Sequence, residues 1–144
     1  MGKLIDRLRD AAYSGVCRVP RPDEVLEATR GARLDVARID LGGAADKDAL
    51  LARLAEALGF PDWFGSNWDA LEDCLADLSW RPGEGHVLLL ERHGELSLDD
   101  LGVLIDVLAA AAEFWRGRGR PFFAVFVDPE AVLALPGLAT RKPA

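Results

Sequence analysis

Apolar residues recur in two rhythms along the 144-residue chain, and the rhythm changes at glycines, prolines and capping residues. Leu4, Ile5 and Leu8 fall on one side of a short amphipathic helix over residues 2–12. Residues 15–19 (GVCRV) read as a short strand closed by Pro20 and Pro22, and residues 23–30 as one or two helical turns ended by Gly31. Residues 34–41 form a clearer strand pattern, with Ala37, Ile39 and Leu41 alternating on one face. Asp46 is placed to cap a helix running to Leu58, in which Leu50, Leu54 and Leu58 recur every four residues. Gly59 suits the position just past its end.

A short loop with Pro61 and Gly65 follows. The spacing then predicts a helix from residue 67 to about residue 78, capped by Ser66 with Asp69 at the third helical position. Trp68, Leu71, Leu75 and Leu78 share one face. Asp69 and Asp73 share the opposite face, with Asp77 beside them and Glu72 on the flank nearer Trp68. Residues 81–85 make a turn, and residues 86–90 (HVLLL) are a continuous apolar run suited to a strand covered on both faces. Ser97 with Asp100 starts a long helix to about residue 116. Its buried face holds Leu101, Leu104 or Ile105, Leu108, Ala112 and Trp115, and Gly117 and Gly119 end it. Residues 122–127 (FFAVFV) give the last strand, and the tail beyond Pro129 has no clear period. Helical crossovers between apolar strands imply an α/β fold, a small three-stranded parallel sheet with helices packed on it, with residues 15–19 available as one extra N-terminal strand. The expected organisation is an N-terminal extension (1–33), a central domain (34–128) and a C-terminal tail (129–144).

Charge sharpens this picture in one place. The whole chain is moderately acidic, with 24 Asp and Glu against 17 Lys and Arg and a net charge of −7. That balance disfavours nucleic acid or an anionic membrane as the main partner. Residues 54–80 carry Glu56, Asp62, Asp69, Glu72, Asp73 and Asp77 without one lysine or arginine, together with Trp63, Trp68 and Trp80. Carboxylates at i,i+4 repel on a helix, and a basic partner relieves that repulsion, so the segment reads as a docking surface. The two cysteines, Cys17 and Cys74, have neither CxxC spacing nor a metal pattern with His86 and His93, and Cys74 reads as a buried thiol. The N-terminus lacks a signal-type apolar run and no stretch reaches the roughly 18 apolar residues of a membrane span, so a cytoplasmic setting is expected. No cofactor motif occurs.

The run from Phe60 to Leu75, FPDWFGSNWDALEDCL, closely resembles the signature of the barstar family, small intracellular inhibitors of ribonucleases such as barnase. The resemblance spans roughly residues 36–128 and implies a three-stranded parallel sheet surrounded by helices. It also implies that the loop and following helix plug the active-site cleft of a basic, secreted-type ribonuclease, with acids standing where RNA phosphates would lie. On that basis Asp73 enters the phosphate site and Asp69 meets an active-site arginine. Trp63 packs at the cleft where the family usually has tyrosine, and Gly65 and Asn67 hold the loop and helix start. Glu72 stands in place of an interface-edge aromatic, which adds charge and removes a stacking surface. The family's further glutamate near the end of the long helix has Glu113 as its nearest counterpart, and Glu91 is a second acid that could adjoin the surface.

Other readings compete. Without the resemblance, Asp69 and Asp73 are ordinary solvated acids opposite a core face, Trp68 is a core residue, and Asn67 holds local backbone. Asp69, Glu72 and Asp73 on one turn could hold Mg²⁺ or Ca²⁺ in a hydrolase, but HExxH, GxSxG and P-loop patterns are absent from the sequence. An immunity or binding module of the same fold, directed at a different cationic toxin or regulator, is the nearer alternative.

Overall fold

The computed structural model describes residues 3–143. Four strands, β1 (Gly15–Val19), β2 (Asp35–Asp40), β3 (His86–Glu91) and β4 (Phe122–Val127), form one sheet in the order β1-β4-β3-β2, with every pair parallel. The expected three-stranded sheet is β2, β3 and β4. Residues 15–19 add the fourth strand beside β4, Gly15 opposite Phe123 and Val19 opposite Val127.

Parallel neighbours need crossovers, and helices supply them. After α1 (Leu4–Leu8), α2 (Asp23–Thr29) carries the chain from β1 to β2. α3 (Lys47–Leu58) and α4 (Trp68–Leu75) lead to β3, and α5 (Leu98–Arg116) to β4. The first crossover traverses the sheet in one direction and the later ones return. Right-handed crossovers therefore put α2 on one face and α3, α4 and α5 on the other. The core divides in the same way. Ala37, Ile39, Leu88, Leu90, Phe122, Ala124 and Phe126 meet the leucines of α3, α4 and α5. Cys17, Val19, Val87, Leu89, Phe123 and Val125 meet Leu8 and Val25. Both faces of β3 and β4 are covered, so their sequences run apolar without alternation.

Helix ends follow local chemistry. Asp46 accepts from the Ala49 N–H at the start of α3, and Gly59 closes it in the left-handed region at φ 64°. Ser97 accepts from the Asp100 N–H at the start of α5. Three expectations change. The first helix spans only Leu4–Leu8, because Asp10 takes the Ala12 N–H and starts a separate 3-10 turn at Ala11–Tyr13; residue 2 lies outside the described residues. α4 is capped by Asn67 rather than Ser66, since Asn67 Oδ1 accepts from the Ala70 N–H at 2.7 Å while Ser66 sits at φ 53°. α4 also ends at Leu75 instead of near residue 78. Ala76 closes it, and Leu78 turns the chain at φ 50° while staying buried in the core.

The tail is ordered despite its lack of period. Arg18 N–H donates to the Pro136 carbonyl at 2.9 Å, and Arg18 pairs with Gly137 in a parallel bridge along the outer edge of β1. Leu138 is buried against the β1 face of the sheet. Arg141 Nε and Nη2 donate to the carbonyls of Tyr13 and Ser14 at 2.8 and 2.6 Å. A Cβ on Gly15 would stand 1.9 Å from that guanidinium, so glycine keeps the seat open.

Candidate functional site

The acidic segment becomes a surface through the amphipathic pattern of α4. Leu71, Cys74 and Leu75 point into the core and Trp68 packs half-buried against it. Asp69, Glu72 and Asp73 are consequently left exposed. Positions i and i+4 on a helix lie about 6 Å apart, so Asp69 and Asp73 form one patch of charge. Asp69 sits in the first turn, where the helix dipole favours an anion. Among the described residues none of Asp62, Asp69, Glu72, Asp73 or Asp77 takes part in an ion pair. The acids at the margin are different. Glu113 pairs with Arg116, and Glu91 lies 2.6 Å from Arg38, so neither offers a free carboxylate.

The field of the acidic face is felt beneath it. Burial pushes the Cys74 thiol above its ordinary pKa, and the carboxylates of Asp73 and Asp77 push it further the same way. Cys74 is therefore an inert core thiol, as the sequence suggests. No group of three or more His, Cys, Asp or Glu side chains among the described residues is arranged to hold a metal ion. No helix among them is long and apolar enough to cross a membrane.

Trp63 is the apolar half of the surface, with 58% of its area exposed. Gly65 and Asn67, both exposed, complete the loop. Asn67 Oδ1 caps α4, and its Nδ2 donates back to the Gly65 carbonyl at 3.3 Å. Trp63, Gly65, Asn67, Asp69, Glu72 and Asp73 are thus all exposed within residues 63–73, between residues that face the core.

Sequence reasoning missed what holds that stretch to the body. Trp80 donates its indole N–H to the Leu58 carbonyl at the end of α3, at 2.9 Å. Trp115 donates to the Leu75 carbonyl at the end of α4, at 2.7 Å. Each indole fills a carbonyl that a helix terminus leaves without a partner. Beside Trp80, Arg81 grips both oxygens of Asp35 at 2.7 and 2.8 Å, and His86 Nδ1 reaches Asp35 Oδ2 at 2.9 Å. Burial alone would raise the Asp35 pKa. The hydrogen bonds from His86 and Arg81 overcome it and hold the carboxyl below its ordinary value. Arg81 and His86 sit five positions apart across a turn, and Asp35 lies far upstream, so no motif announces the cluster.

The class of the molecule is thus a parallel α/β domain that displays an acidic helix face without ion pairs among the described residues, next to an exposed tryptophan. Residues 34–127 match the family described as Barstar (barnase inhibitor). That match spans well over half of the chain, and the chain belongs to this family. A search of curated proteins finds none that matches it.

Proposed function

We propose that this protein is an inhibitor that inserts the 60–67 loop and α4 into the active-site cleft of a basic ribonuclease and occludes it. The observation that carries the reading is the set of exposed, unpaired carboxylates, Asp69, Glu72 and Asp73, beside the exposed ring of Trp63. Carboxylates accept bidentate, charge-assisted hydrogen bonds from arginines that otherwise grip phosphate. Asp73 enters the phosphate site, Asp69 meets a neighbouring arginine, and Trp63 fills the apolar part of the cleft, a residue type favoured at interface hot spots. No bond is made or broken. Opposite charges steer the encounter, so association slows as salt rises.

The test is titration into an RNA-cleavage assay of barnase, and of any basic ribonuclease that co-purifies with the protein from its own host. Stoichiometric inhibition is expected. Capture of such a ribonuclease with its RNA cleavage intact would overturn occlusion. One observation favours a second target class. Glu72 presents a free carboxylate where the family places an aromatic at the interface edge. A cationic toxin other than a ribonuclease, bound in a salt-sensitive way by the same face, would fit that change.

A further inference from the structure

The loop that carries Trp63 has little of its own to hold it. Within residues 60–67 its hydrogen bonds are Phe64 N–H to the Pro61 carbonyl at 3.0 Å and the weak Asn67 contact to Gly65. The exposed Trp63 ring has one aromatic neighbour among the described residues, the ring of Trp80, with centroids 6.4 Å apart and planes at 84°. Trp80 in turn meets Phe60 edge-on at 6.1 Å, and Phe60 meets Phe64 at 4.8 Å.

Trp80 is itself anchored twice. Its N–H is committed to the Leu58 carbonyl, and the next residue, Arg81, forks onto Asp35 at the first position of β2. The sheet and the end of α3 therefore dictate where the Trp80 ring stands. A filler of the core would be fully buried with its polar atom satisfied by chance. Trp80 is only half-buried against the core, and its ring also stands nearly perpendicular to the exposed ring of the loop.

We propose that Trp80 is a positioning residue for the partner-binding loop: it touches Trp63, holds that indole in its bound orientation before the partner arrives, and lies outside the acidic face. This rests on the inhibitor reading above. Preorganising one large side chain removes the ordering cost that binding would otherwise carry, worth about 0.5–1.5 kcal/mol per side chain, or roughly 2- to 10-fold in affinity. Ordering gained before contact acts mainly on dissociation, whereas charge acts on association.

The experiment uses the full chain with Trp80→Leu and Trp80→Phe, and Trp63→Ala as reference. The first readout needs no partner: the NMR order parameter of the Trp63 indole N–H. Trp80→Leu should bring it into the flexible range, below about 0.6. Trp80→Phe, which keeps an aromatic edge but not the N–H, should restore most of it. The second readout is binding to barnase. Trp80→Leu should speed dissociation roughly 2- to 10-fold, with the association rate and its salt dependence unchanged, and should add nothing in a Trp63→Ala background. An unchanged Trp63 order parameter in a folded Trp80→Leu variant would overturn the proposal. So would a lowered melting temperature with equal losses in both Trp63 backgrounds, since that is the mark of a general structural role. If wild type fails to bind barnase while the order parameter falls as expected, the inhibitor reading fails for that enzyme and the positioning of Trp63 stands.

Discussion

Asp73 and Asp35 are both aspartates in an acidic protein, and their surroundings assign them opposite tasks. Asp73 is exposed and unpaired, so Asp73→Ala should leave folding intact or slightly improved, because repulsion from Asp69 and Asp77 falls. Against a target ribonuclease it should weaken binding by about 2–5 kcal/mol, the range for truncating one partner of a buried charge pair, a range to which the family's founding complex, barnase with barstar, itself contributed. Isothermal titration of the variant checks the second effect and thermal melting the first. The Asp35 residue is half-buried with its carboxylate shielded and held by Arg81 and His86, and its removal leaves buried His86 without its partner and Arg81 without its carboxylate. Asp35→Ala should lower stability by about 3–5 kcal/mol. Its folded-state pKa lies below the unfolded value, so its contribution is complete above about pH 4 and disappears as pH falls through the folded value. Asp128 behaves in the same direction: burial raises its pKa, but the Leu133 and Val132 N–H groups and His93 bring it below the ordinary value. Urea unfolding between pH 7 and pH 2 should show a plateau and then an acid decline, shallower in Asp35→Asn. The acidic face was legible in sequence because a run without cations stands out in one dimension. The Arg81–Asp35–His86 cluster was not, because its members meet only through the β2–β3 register, where Asp35 stands opposite His86.

At the scale of elements, caps and periods were read well and termini less so. Asp46, Gly59 and Ser97 work as their residue types suggest, and the long helix buries Leu101, Leu108, Ala112 and Trp115 as its spacing implies, with Leu104 rather than Ile105 and with Val107 and Ala111 besides. Ser66 and Asn67 are both capping types in adjacent positions, and composition alone does not rank them. Ser66 takes the left-handed turn that lets Asn67 face the helix. Asn67→Ala should therefore destabilise α4 by about 1 kcal/mol, and Ser66→Ala by less through capping. Urea midpoints of the two variants measure the difference. Loss of the cap also loosens the loop end of the acidic face, so under the proposed function Asn67→Ala should weaken binding to a target ribonuclease more than its stability change alone would. Leu78 shows why the apolar spacing overruns the end of α4. It is buried as a helical continuation would require, but it arrives there by a turn.

At the scale of the whole molecule, the family match ends at residue 127 and begins at residue 34, while the chain ends outside it make one joint structure. β1 comes from the N-terminal side, and residues 136–141 strap its outer edge. The strand was visible in sequence, but its place beside β4 was not, since strand order depends on which crossover lies on which face. The strap was invisible because single contacts, Leu138 in the core and Arg141 over Gly15, carry no period. Leu138→Ala should cost about 2–3 kcal/mol, toward the low end for a buried leucine because the site lies near the surface. Differential scanning calorimetry of that variant tests whether the tail melts with the sheet, and a single transition is expected.

The strap has a consequence for life at high concentration. A bare parallel edge invites hydrogen bonds from the next molecule. Here one margin is already occupied by the chain's own tail, and the other carries the charged pair Arg38 and Glu91 together with Asp40 and Arg92. A protease that nicked the tail near Val132, an exposed residue, would uncover backbone donors and acceptors together with the apolar seat of Leu138. The clipped species should then stick to its own kind and seed precipitation, which light scattering of the clipped and intact protein would measure.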